Sequence, residues 1–136
     1  RLACFYEEVL GCERILPERD LSGEWLAELT GLSEAHLEGV HLRLPGHGET
    51  GPTFEIFEYG NPAVGSLSLI NRPGLAHLAF AVDDVEAALK AILEAGGGAM
   101  GKLVSTEVEG VGTLTAVYVT DPEGNIIELQ KWLPRP

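Results

Sequence analysis

Apolar residues recur along the chain with helical spacing in a few places and with strand alternation in most others. Leu2–Leu10 (LACFYEEVL) puts Leu2, Phe5, Tyr6, Val9 and Leu10 on one stripe, which predicts a helix stopped by Gly11. Glu13–Leu16 reads as a short strand and Ser22–Thr30 as a helix capped by Ser22. Gly39–Leu44 and Thr53–Tyr59 alternate as two strands about the turn-rich Pro45–Gly51, which predicts a hairpin. Gly60–Pro73 is a Gly/Pro/Asn/Ser stretch and reads as a linker. Beyond it, Leu75–Val82 reads as an apolar strand. The helix Val85–Ala95 follows, with Asp83 or Asp84 as cap and Gly96–Gly98 as stop. Val104–Val108, Leu114–Thr120 and Ile126–Trp132 complete the chain as strands, the last two joined by the turn Asp121–Gly124.

The two halves repeat this order: helix, short strand, hairpin. HLRLPGHG…TFEIFEY lies over VYVTDPEG…NIIELQKW, and each hairpin ends in apolar–Glu–apolar, at Phe54-Glu55-Ile56 and Ile127-Glu128-Leu129. The second half opens with the strand that carries His77, and the first half has no such strand. The chain begins on Arg1, inside a helical segment. The repeat therefore puts a further strand upstream, its equivalent of His77 roughly eight or nine residues before Arg1.

The chain has 136 residues, enough for one domain of two small modules, 1–59 and 74–136, joined by 60–73. A net charge of −12 disfavours nucleic acid and anionic membranes as partners. Neither a secretory pattern nor an apolar run of membrane-spanning length is present. Two cysteines, Cys4 and Cys12, have neither disulfide-framework nor zinc-knuckle spacing. Reduced thiols in a cytoplasmic protein are the expectation.

Three polar residues interrupt apolar strands: Glu55, His77 and Glu128. Alternation puts Glu55 on a face with Phe57, Glu128 with Ile126 and Gln130, and His77 with Leu75 and Ala79. An isolated strand glutamate is ordinarily solvated at an edge, and a lone strand histidine is ordinarily a satisfied core residue. Buried carboxylates near one another, however, cost several kcal/mol unless neutralised. Arg43 is the strand cation of the first half available to do so; a divalent ion does it directly. A mixed carboxylate and imidazole set suits Ni, Zn, Co, Fe or Mn. Two glutamates at equivalent repeat positions, with a histidine opening a repeat, point to one shared metal site. His41, on the strand before Glu55, and His36 and His47, in expected loops, carry no comparable signal.

FYEEVLGC, GLAHLAFAVDDVEAAL and VYVTDPEGNIIEL resemble characteristic segments of the vicinal-oxygen-chelate superfamily. It includes glyoxalase I, methylmalonyl-CoA epimerase, extradiol dioxygenases, and the bleomycin and fosfomycin resistance proteins. The resemblance covers nearly the whole chain. It implies an α+β fold of two βαβββ modules forming an open eight-stranded cup, here without its first strand. It also implies metal ligands on the first and fourth strands of each module: Glu55, His77 and Glu128, with the fourth ligand on the strand outside this chain.

The resemblance opens three functions. The first is a glyoxalase- or epimerase-like lyase or isomerase for a small α-hydroxy or α-keto (thio)ester. A metal-stabilised enediolate would form there, with Glu128 as the catalytic base. Glu55 favours this branch, because the dioxygenases use two histidines and one glutamate. The second is an extradiol-type dioxygenase, for which Tyr118, ten residues before Glu128, stands at a suggestive spacing. The third is a non-enzymatic resistance-type protein that sequesters its ligand. Phe57, Tyr118 and Gln130 are the expected substrate-pocket residues. A homodimer is the assembly the resemblance implies, with a small molecule as its other partner.

Overall fold

A computed structural model gives the structure of residues 1–63, 65 and 68–134. The expected linker Gly60–Pro73 includes Val64, Ser66 and Leu67, which, like Arg135 and Pro136, lie outside the described residues. The chain forms two compact units, essentially Ala3–Gly65 and Ser66–Pro136. Among the described residues seven strands form two sheets, a mixed α+β architecture.

The first unit opens with α1 (Leu2–Leu10), whose Phe5, Tyr6 and Leu10 are buried. Gly11, at φ 70°, ends it in the left-handed region that glycine enters without a Cβ penalty. Then come β1 (Glu13–Ser22), α2 (Glu24–Thr30), β2 (His36–Arg43) and β3 (Thr53–Tyr59), with sheet order β1-β2-β3, antiparallel throughout. Pleating sorts β2 and β3 into two faces. Val40 and Leu42, both buried, share one with Ile56 and Phe54, and Tyr6 meets Phe54 there edge-on at 4.9 Å. The other face carries Leu37, Gly39 and His41 beside Tyr59, Phe57 and Glu55. At its far end α2 covers it: Leu26 packs on Ala35 and Leu37, with Leu21, Phe57 and Tyr59 around them.

The second unit is β4 (Leu78–Ala81), α3 (Val85–Glu94), β5 (Gly98–Val108), β6 (Gly112–Thr120) and β7 (Ile126–Pro134), with sheet order β4-β7-β6-β5. β4 runs parallel to β7 and the other pairs are antiparallel. Asp84 caps α3 by accepting the Ala87 N–H at 2.9 Å. Ile92 of that helix and Val117, Val119, Ile127 and Leu129 of the strands are all buried. The β6–β7 turn is tied by Asp121, a carboxylate only 2% exposed. It accepts the backbone N–H groups of Glu123 and Asn125 and the Asn125 side-chain amide, at 2.8–2.9 Å.

Several boundaries differ from the sequence reading. β1 runs to Ser22 across a register irregularity between Ile15 and Arg19, so Ser22 is a strand residue and Gly23 precedes α2. β2 begins at His36, which is therefore not in a loop. β5 starts at Gly98 rather than Val104. β4 is shorter than Leu75–Val82: its pairing with β7 starts at Leu78, and Leu75 is 91% exposed. The alternation of apolar residues marks where a strand packs, whereas backbone pairing decides where it ends.

Leu129→Ala should cost roughly 3 kcal/mol of unfolding free energy, the usual loss for a fully enclosed leucine, measured by urea denaturation. Asp121→Ala should cost about 2 kcal/mol, because it removes the charge-assisted hydrogen bonds by which a buried carboxylate ties the turn. Asp121→Asn should cost less, since one oxygen can still accept from the two backbone N–H groups.

Candidate functional site

In the second unit, β7 sits between β4 and β6, so alternation along it decides which side chains leave the core. Ile127 and Leu129 point into the buried layer, and Glu128 and Gln130 point the other way. Glu128 stands opposite Tyr118 on β6 and Ala79 on β4. His77, just before β4, reaches the same carboxylate: Nε2 lies 3.1 Å from Glu128 Oε2. Its ring meets Tyr118 edge-on at 5.1 Å. Burial raises the Tyr118 hydroxyl above the ordinary phenol range, and the neighbouring charge of Glu128 and a hydrogen bond to it add to the rise. Gln130 is engaged at its oxygen by the Trp132 indole N–H at 2.9 Å.

The second-unit pair fits a divalent ion. Two donors on one such ion, each about 2.1 Å from it, stand roughly 3 Å apart. His77 Nε2 and Glu128 Oε2 have that separation, and the Glu128 side chain is only 16% exposed. His77 Nδ1 is buried without a hydrogen-bond partner among the described residues.

In the first unit, Glu55 stands directly opposite His41, and His41 Nε2 lies 2.8 Å from Glu55 Oε1. Phe57 shares this face, its ring 5.9 Å from that of His41. Gly39 makes room for it: a Cβ there would sit 2.4 Å from the Phe57 ring and 2.1 Å from the Ile56 carbonyl. Two points of the sequence reading need correction. The Glu55 side chain is 52% exposed, so desolvation does not force a cation onto it. Arg43 is held by Glu13 at 2.7 Å, and the partner of Glu55 is His41.

His41 was legible only through hairpin register, which the long turn between the two strands conceals. An open groove of about 850 Å³ lies elsewhere in the unit, between Gly11, Arg43 and the turn residues Pro45–Thr50. It is lined by none of the predicted ligands. Cys12 is buried, which pushes its thiol up to about 11, and Cys4 is exposed; both are free. Among the described residues no helix is long and apolar enough to cross a membrane.

The chain is similar to several solved structures. A glyoxalase family protein from Bacillus cereus superposes with a TM-score of 0.80 at 21% identity, over 97% of this chain and 85% of that one. A glyoxylase/bleomycin resistance protein/dioxygenase domain from Frankia sp. EAN1pec gives 0.57 at 20% identity, over 97% and 82%. A glyoxalase/bleomycin resistance protein/dioxygenase family enzyme from Burkholderia phytofirmans PsJN gives 0.53 at 14% identity, over 97% and 88%. At such identities the likeness establishes the fold. No curated protein matches the chain. The family model described as Glyoxalase/Bleomycin resistance protein/Dioxygenase superfamily matches residues 1–129, and the chain belongs to that superfamily.

Proposed function

We propose that the protein is a metal-dependent enzyme of the glyoxalase or epimerase type, acting on a small α-hydroxy or α-keto (thio)ester. The observation that carries this reading is the imidazole–carboxylate pair His77–Glu128, set beside Tyr118 on a strand face that leaves the core. His77 and Glu128 are the residues that would hold the ion. The repeat gives Glu55 the same ligand role in the first unit, where His41 is its imidazole neighbour. A divalent ion, Ni, Zn, Co, Fe or Mn, supplies Lewis acidity that stabilises negative charge on a substrate oxygen.

The chain's own residues supply the proton chemistry. The Glu128 carboxylate takes the proton from the carbon next to the substrate carbonyl and returns it to the neighbouring carbon or to the opposite face. Tyr118 donates to Glu128 and holds its orientation. Phe57, Tyr118 and Gln130 are the proposed pocket residues. A cytoplasmic setting and a homodimer belong to the same proposal.

A second reading has a specific observation in its favour. Tyr118 lies against both His77 and Glu128, where an extradiol-type dioxygenase would want an acid/base group. Oxygen uptake on catechols by the Fe(II)-loaded protein would select it. Binding without turnover, unchanged by His77→Ala, would select a resistance-type binding protein.

On the metal-loaded full chain, lactoylglutathione formation and thioester epimerisation are the assays. Glu128→Gln should lower turnover by about 10²–10⁴-fold, the usual worth of a positioned base. His77→Ala should weaken metal binding by at least about tenfold, since even the outer partners of metal ligands are worth that. Tyr118→Phe should lower turnover by about tenfold, the loss of one hydrogen bond to a charged group, and leave metal affinity unchanged. Absence of turnover on every α-hydroxy and α-keto thioester tried would overturn the proposal.

A further inference from the structure

A second group of potential ligands lies on the first sheet, on the face opposite α2. Asp20, His36 and Glu38 each offer a donor atom, and the three atoms lie within 4.8 Å of one another. His36 Nε2 and Asp20 Oδ1 are 2.8 Å apart. Strand pairing sets this geometry. Asp20 is directly opposite Glu38, and His36 is two residues before Glu38 on the same strand face. Glu58 stands directly across from Glu38 on its other side.

The result is a row of three carboxylates, Asp20, Glu38 and Glu58, across three adjacent strands. Like charges directly opposite one another in a sheet are unfavourable. The salt bridges of the described residues bring no lysine or arginine to any of the three; the sole counter-group is the His36 imidazole. The donor set is mixed, one imidazole and two carboxylates, the composition that first-row divalent ions accept with water in the remaining positions. It is built on paired strands, with the His36 carbonyl tied to the Gly60 N–H at 3.0 Å.

We propose that Asp20, His36 and Glu38 bind a divalent transition-metal ion, separate from the His77–Glu128 pair. The position gives the ion a task. Ser22 and His36 are the last pair of β1 and β2 before the chain leaves the sheet to form α2. An ion on Asp20, His36 and Glu38 fastens the base of that excursion. α2 in turn packs through Leu26 against Phe57 and Tyr59 on the opposite face. The ion is therefore a clamp on the segment that covers one end of the Glu55 face, and it does not depend on the proposed catalytic reading.

The test is a titration of the full chain with Zn²⁺ and with Co²⁺, followed by calorimetry and by NMR of the histidine rings. Wild type should show a binding event that survives His77→Ala and disappears in both His36→Ala and Glu38→Gln. Sub-stoichiometric Co²⁺ should broaden the His36 ring signals. Zn²⁺ should raise the melting temperature of His77→Ala and not that of the His36→Ala/His77→Ala double variant, because an ion that binds only the folded chain stabilises it. All three ligand residues are exposed, so the variants should fold, and their far-ultraviolet spectra check this. An unchanged binding event in His36→Ala, or His36 signals unmoved by Co²⁺, would overturn the proposal.

Discussion

The period of two along a paired strand is the constraint on which the site depends. β7 is hydrogen-bonded on both sides, to β4 and to β6, so it cannot rotate about its axis. Ile127 and Leu129, both fully buried, fix one face. Glu128 is then obliged to leave on the other, against Tyr118 and within reach of His77. A carboxylate between two core residues is thus delivered to a defined face of the sheet by hydrophobic packing.

The same arithmetic runs through β3 with a different outcome. Glu55 leaves between Phe54 and Ile56, and across the hairpin stands an imidazole rather than a phenol. The repeat therefore preserves the glutamate and varies its cross-strand neighbour: His41 in one unit, Tyr118 in the other. A histidine can ligate an ion or carry a proton at neutral pH, and a phenol in a buried setting keeps its proton. The two glutamates share a position and differ in chemical surroundings.

Much of this was legible in the residues. The helices, the two hairpins, the capping by Asp84 and the turn at Asp121 all follow from local pattern, because each is stabilised by neighbours in sequence. The α+β fold followed from the internal repeat and from the resemblance of three segments. What stayed hidden depends on backbone pairing. The second half of β1 contains Pro17 and charged residues and has no apolar alternation, yet Arg19–Ser22 pair with β2. Gly98–Leu103 has too little apolar pattern to announce a strand, but Gly98–Met100 pair with β6. His41 and His36 acquire partners only once the hairpin and the β1–β2 register are known.

The two turns differ in a way that bears on divergence. Between β6 and β7 the chain is pinned by a buried aspartate, so a residue gained or lost there would slide β7 by one place and exchange the buried and outward sets of side chains. Between β2 and β3 the chain passes through His47, Gly48 and Glu49, all exposed, and Gly46 and Gly48 have positive φ. Insertions there have room to bulge without disturbing the ladder. Descendants of this sequence are free to remodel the first hairpin's tip, and with it the groove beside Arg43, while the second hairpin is confined to one length.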